Sequence, residues 1–214
     1  MTPQRRTDKE KAQAGDYYGG PDRYYDQVSE ITVVKLYSGD YYATATPGEM
    51  IMTILGSCVA ACIRDPHVNI GGMNHFLLPG DTHAENSLDP STRYGAFAME
   101  KLINEILKLG GRRERLEVKL FGGANVINNS TMIGAKNVEF VRRYVKEEGL
   151  RVAAEDLGGT QPRRLHYYPD TGKVMMRALR RKDDLRIVEE ESAYEQKLTH
   201  SGSTDGSTNT AELF

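Results

Sequence analysis

The chain has 214 residues, 39% of them apolar and 27% charged, which suits one globular domain with tails. A net charge of −2 and a pI near 6.2 argue against a nucleic-acid partner held by charge. The only two cysteines, Cys58 and Cys62, would sit roughly 13 Å apart on one strand, too far to bridge, so a reducing cytoplasm is the simplest compartment. No run reaches the length of a membrane-spanning helix, and the first residues lack the apolar core of a secretion signal.

Residues 1–30 are polar and charged and read as a disordered arm. Two tyrosine pairs lie in it, Tyr17-Tyr18 and Tyr24-Tyr25, as plain linker or as a docking segment. Ile31 to Tyr37 and Tyr41 to Thr46 read as strands split by the turn Ser38-Gly39-Asp40. Pro47-Gly48 turns the chain into Met50 to Leu55, which leads to Gly56-Ser57-Cys58. Val59 to Asp65 reads as a strand, with Val59, Ala61 and Ile63 alternating with Ala60, Cys62 and Arg64. Turn residues Pro66 to Asn69 separate it from a second apolar run, Ile70 to Leu78, which carries His75. Thr82 to Ser91, with His83, Glu85, Asn86 and Asp89, is a long polar loop, either a substrate-facing rim or plain surface.

Thr92 to Leu109 has the spacing of an amphipathic helix, with Ala98, Met99, Leu102, Ile106 and Leu109 inward and Gly110-Gly111 at its end. Leu116 to Phe121 is a strand feeding Gly122-Gly123-Ala124-Asn125. That turn lacks the Gly-Lys-Ser/Thr ending of a phosphate loop, so close backbone packing is its expected use. A second helix runs over Asn137 to Glu148, with Val138, Val141 and Val145 inward. Leu150 to Asp156 is a strand, and Arg163 to Tyr168 pairs with Lys173 to Leu179 across Pro169-Asp170-Thr171-Gly172. Leu185 to Val188 reads as a last short strand, and Thr199 to Thr210 has flexible-tail composition. The pattern is α+β: mixed, largely antiparallel sheets, sandwich-like, with two main helices packed on them. The expected units are an arm over 1–30, a folded domain over 31–191 and a Ser/Thr/Gly-rich tail over 192–214.

The order cysteine, turn, histidine suggests a thiol nucleophile and its base. If the two apolar runs form a hairpin, a two-residue turn puts His75 directly opposite Cys58. A four-residue turn puts His75 two residues along from the partner of Cys58. Both registers leave the side chains on one face, roughly 5 to 8 Å apart at Cβ. The competing reading is a packed cysteine beside a packed histidine. The backbone N–H groups of Gly56-Ser57-Cys58 are candidate oxyanion donors, because Gly56 and Ser57 permit close approach. Asn74 faces the other way by parity. Asp65, His67, His83 and His166 are assigned no catalytic part, and Cys62 reads as a packed small residue.

Leu55-Gly56-Ser57-Cys58-Val59-Ala60, Arg64-Asp65-Pro66 and Gly72-Met73-Asn74-His75-Phe76-Leu77-Leu78-Pro79 together resemble the signature of the CheD family of chemoreceptor glutamine deamidases. The likeness continues through Gly122-Gly123-Ala124, Ile133-Gly134-Ala135-Lys136-Asn137-Val138, Glu155-Asp156-Leu157-Gly158-Gly159 and Thr171-Gly172-Lys173. It implies a sheet sandwich flanked by helices, similar to bacterial toxin deamidases. It also implies conversion of specific glutamines to glutamate on chemoreceptor cytoplasmic helices, with Cys58 as nucleophile and His75 as base. A glutamate methyl ester would react by the same route. The resemblance further implies a threonine shortly before the cysteine to orient the base. Thr53, five positions ahead, is the candidate; the family pattern can place it six ahead, where this chain has Met52. No cofactor or metal is expected, and the expected place is the cytoplasm, at receptor clusters. A different class of function stays open: a non-catalytic adaptor docking on receptors or on a CheC-type phosphatase. A third is a thiol peptidase or amidase acting elsewhere.

Overall fold

Strand-forming runs punctuated by glycine, proline and aspartate build two sheets that pack face to face. The computed structural model of the chain describes residues 21–78, 90–125 and 132–179. The first sheet has the order β1-β2-β4-β9-β10, from β1 (Asp22–Asp26), β2 (Ile31–Lys35), β4 (Glu49–Leu55), β9 (Arg163–Tyr168) and β10 (Lys173–Ala178). The second has the order β3-β6-β5-β7-β8, from β3 (Tyr41–Thr44), β6 (Ile70–Asn74), β5 (Val59–Asp65), β7 (Glu117–Gly122) and β8 (Arg151–Leu157). Two pairings are parallel, β2 with β4 and β7 with β8, and the others are antiparallel. Helices α1 (Pro90–Lys108) and α2 (Ile133–Glu147) cover the outer face of the second sheet. No helix among the described residues is long and apolar enough to cross a membrane.

Central strand β5 shows how sequence sets these layers. Val59, Ala61 and Ile63 pack against Met99, Leu102, Ile103 and Ile106 of α1 and Val141 and Val145 of α2. Ala60 and Cys62 face the other sheet, among Val34, Ile51, Leu55, Leu165 and Tyr167. A strand covered on both faces needs apolar residues at nearly every position, which β5 has. On β6, a Cβ at Gly72 would lie 2.3 Å from the Tyr42 carbonyl and 2.7 Å from Leu102 Cδ1, so only glycine lets β3 and α1 close over this strand.

Several boundaries differ from expectation. Asp22–Asp26 lies within the expected arm but pairs antiparallel with β2, and Tyr24 and Tyr25 are exposed on it. The second apolar run ends as a strand at Asn74 rather than Leu78. Leu109 falls past the end of α1 and is exposed instead of joining the stripe. Helix α2 starts at Ile133, four residues earlier than Asn137, because Gly134 packs its first turn onto Gly123. A Cβ at Gly134 would stand 2.7 Å from the Gly123 carbonyl, so tertiary contact overrides glycine's poor helix propensity. Residues 82–89, Leu185 to Val188 and Thr199 to Thr210 lie outside the described residues.

Candidate active site

The β5–β6 hairpin takes the longer of the two registers. Asp65 pairs with Ile70 and Cys62 with Met73, leaving Pro66 to Asn69 as a four-residue turn. Asn69 adopts a φ of 55°, and Asp65 Oδ1 accepts from the His67 N–H at 3.0 Å. Beyond the hairpin proper, Val59 and Phe76 exchange backbone hydrogen bonds of 3.0 and 2.9 Å. That bridge holds Cys58, one residue before β5, and His75, one residue after β6, to fixed positions. Both side chains are buried, Cys58 at 0% exposure and His75 at 5%.

A third segment closes over them. The Gly39 N–H donates to the His75 carbonyl at 2.7 Å, and the His75 N–H donates to the Asp40 carbonyl at 2.9 Å. Asp40 Oδ2 in turn accepts from the Tyr37 N–H at 2.9 Å. Burial pushes the Asp40 carboxyl up, against the pull of that N–H, and nearby Asp22 adds to the rise. The turn is thus hooked onto the backbone of His75. It sets Ser38 Oγ 3.1 Å from Cys58 Sγ and 3.2 Å from His75 Nε2.

Thr53 fixes the histidine from behind. Its Oγ1 lies 2.8 Å from His75 Nδ1 and donates its proton to the Leu36 carbonyl at 3.0 Å. With that proton committed, the oxygen offers only a lone pair to the ring, so Nδ1 carries the hydrogen. In its neutral form His75 then presents an unprotonated Nε2 toward Ser38, the tautomer a general base requires. The threonine that sits here is the one five positions ahead of the cysteine. Thr53 is buried, and in β4 its side chain points between the sheets with Ile51 and Leu55. Met52 takes the opposite parity and pairs with His166 of β9.

The glycine-rich turn after β7 backs the cysteine, as close-packing turns do. Gly122 has a φ of 108°, and a Cβ there would lie 2.2 Å from the Cys58 carbonyl. The Gly123 N–H donates to that carbonyl at 2.7 Å, and the Ala124 N–H donates to the Gly56 carbonyl at 2.8 Å. Ser57 is held at its carbonyl by Asn137 Nδ2, 2.9 Å away. The segment Gly56-Ser57-Cys58 is therefore anchored through each of its carbonyls.

Other candidates stand apart. Asn74 faces the helices, accepting from the Ala61 N–H at 2.9 Å and donating to the Ala98 carbonyl at 3.1 Å. Asp65 is an anchor, accepting from Arg115 Nε at 2.8 Å and the Arg112 N–H at 3.0 Å. His166 lies on the sheet face opposite Thr53; burial, then Arg164, depress its basicity. Burial pushes the Cys62 thiol far up, as suits a packed residue. Ser38 and Asn137 were not among the residues expected here. Ser38 reads in sequence only as a turn residue, and Asn137 as the expected start of a helix and a member of the Ile133–Val138 family motif, with no site role attached.

Comparison with known proteins then decides the family. A chemoreceptor glutamine deamidase CheD, described as probable, from Rhodopseudomonas palustris (strain BisA53) is 49% identical over 178 residues, spanning 82% of this chain and 83% of that protein. This chain belongs to the CheD family. The family model described as CheD chemotactic sensory transduction matches residues 77–178, downstream of Cys58 and His75. Proteins described in the same words from Hahella chejuensis and Thiobacillus denitrificans are 44% and 47% identical, over 86% and 82% of this chain and 88% of each relative. A solved structure of Bacillus licheniformis hypothetical protein YfiH matches with a TM-score of 0.38 at 11% identity, covering 64% of this chain and 62% of that one, too distant to carry an argument.

Proposed function

We propose that this CheD-family chain hydrolyses glutamine side-chain amides of chemoreceptors to glutamate, with Cys58 as nucleophile and His75 as acid and base. The curated relatives' names supply the reaction and the substrate class. One observation supports the residue roles: Ser38 Oγ stands within hydrogen-bonding distance of both Cys58 Sγ and His75 Nε2, while Thr53 holds Nδ1. The Cys58 proton passes to Ser38 Oγ as the Ser38 proton passes to Nε2, leaving a thiolate and an imidazolium. The thiolate adds to the amide carbon, and the oxyanion takes hydrogen bonds from backbone N–H groups of Gly56-Ser57-Cys58. His75 gives its proton to the departing nitrogen, which leaves as ammonia, and a γ-glutamyl thioester remains on Cys58. Water loses a proton to His75, adds to the thioester and expels the thiolate, giving glutamate. A glutamate methyl ester would follow the same path with methanol leaving.

Ammonia release from a receptor cytoplasmic fragment tests this. Release by the wild-type chain and none by Cys58→Ala or His75→Ala is the expected result. Equal release by Cys58→Ala would remove the nucleophile. A stable receptor complex without ammonia would favour the adaptor reading, with a CheC-type phosphatase as its other partner.

A further inference from the structure

We propose that Asn137 is a positioning residue that holds the Ser57–Cys58 peptide in the orientation needed to stabilise the oxyanion; this rests on the deamidase reading above. Asn137 is 0% exposed and lies one turn inside α2. Asparagine is a poor choice for a helix interior, so its side chain is committed to contacts outside the helix. Its Oδ1 accepts from the Leu78 N–H at 2.9 Å, which fixes which end of the carboxamide is oxygen. Its Nδ2 must then face the other way, and it donates to the Ser57 carbonyl at 2.9 Å.

The consequence follows from peptide geometry. The described residues contain no cis peptide bonds. In a trans peptide the C=O and N–H point in opposite directions. Pinning the Ser57 carbonyl toward α2 therefore aims the Cys58 N–H away from α2. The next carbonyl, that of Cys58, is pinned separately by the Gly123 N–H at 2.7 Å. Both peptides flanking the nucleophile are thus held by groups outside its own strand. Meanwhile Leu78, three residues after His75, is tied to the same carboxamide. One buried amide spans the two segments that carry the thiol and the imidazole.

The test separates oxyanion positioning from thiol activation. Alkylation of a thiolate by iodoacetamide passes through no oxyanion, whereas amide hydrolysis does. Full-length Asn137→Ala and Asn137→Ser would be assayed for deamidation of a receptor cytoplasmic fragment and for the pH dependence of Cys58 alkylation. The expected result is a fall in kcat of at least about ten-fold, with KM and the alkylation profile unchanged. Unchanged kcat in a folded variant would overturn the proposal. So would alkylation and kcat falling together, or failure of both variants to fold, since either makes Asn137 a structural strut. A wild-type chain that releases no ammonia would instead contradict the deamidase reading, and leave Asn137 no oxyanion to serve.

Discussion

At the scale of single residues, the site is a relay of hydrogen bonds running from Cys58 through Ser38 and His75 to Thr53 and the Leu36 carbonyl. Each link has its own test. Thr53→Val keeps the shape and removes the acceptor at Nδ1; if His75 is the base, a loss of roughly 10–100-fold in kcat/KM is expected, the size seen when partners that orient metal-bound histidines are removed. Ser38→Ala breaks the proposed proton path from Cys58 to His75 and removes a hydroxyl that can donate to the thiolate, so a fall in kcat/KM of more than about ten-fold, the size of one charge-assisted hydrogen bond, is expected. Cys62→Ala should keep its activity, and alkylation at mildly alkaline pH should label Cys58 and spare Cys62, whose thiol burial holds protonated. Labelling of Cys62 at the same rate would contradict that assignment. The Cys58–His75 pair was legible from parity, because either hairpin register puts both on one face. The family pattern left the position open between Thr53 and the place of Met52, and parity on β4 explains why Thr53 reaches the ring. Ser38 was not legible, since it arrives from a turn 20 residues from Cys58 and 37 from His75, and no periodicity links them.

At the scale of elements, the cysteine depends on a turn that tolerates no side chain. Gly122→Ala would need a positive φ and would press a methyl group into the Cys58 carbonyl. Loss of deamidation with the overall fold retained is the expected outcome, read by activity against circular dichroism. The other end of β5 is held by Asp65. Burial opposes ionisation of its carboxyl, but hydrogen bonds from the Arg112 N–H, from Arg115 and from the His67 N–H outweigh it, so it is held below the usual carboxylate range. A folded-state value below the unfolded one contributes stability above the ordinary aspartate range, and that contribution is lost as pH falls through the folded value. Melting temperature should therefore drop as pH is taken below about 4, and Asp65→Asn should flatten that drop. Asp65→Ala should cost about 3 kcal/mol in chemical denaturation, because it strands Arg115 and two backbone donors. Helix and strand identities were readable from periods of 3.6 and 2. The boundaries that moved did so for local contacts, such as Gly134 on Gly123, that no single-sequence pattern encodes.

At the scale of the whole molecule, three layers stack as sheet, sheet and helices, and the site sits between the two sheets at the ends of β4, β5 and β6. The α+β class and the hairpins β5–β6 and β9–β10 were legible, since their turns lie within the sequence pattern. The order of strands was not. The parallel pairing of β2 with β4 and the placement of β9 beside β4 join distant segments, and only the packed core selects them. The edge strand β1 was missed because its sequence, Asp-Arg-Tyr-Tyr-Asp, is polar and half exposed, and its Arg23 ion pair with Glu49 of β4 is a tertiary feature. This arrangement gathers Thr53, Cys58 and His75 from three strand ends, and Ser38 from the β2–β3 turn, around one sulfur. The most direct test is mass spectrometry of a chemoreceptor cytoplasmic fragment incubated with the full chain. A gain of about 1 Da at particular receptor glutamines, the exchange of NH2 for OH, is expected with the wild-type chain and not with Cys58→Ala. Receptor glutamines left unchanged by the wild-type chain, or converted equally by Cys58→Ala, would contradict the assignment of Cys58 as the nucleophile of a deamidase.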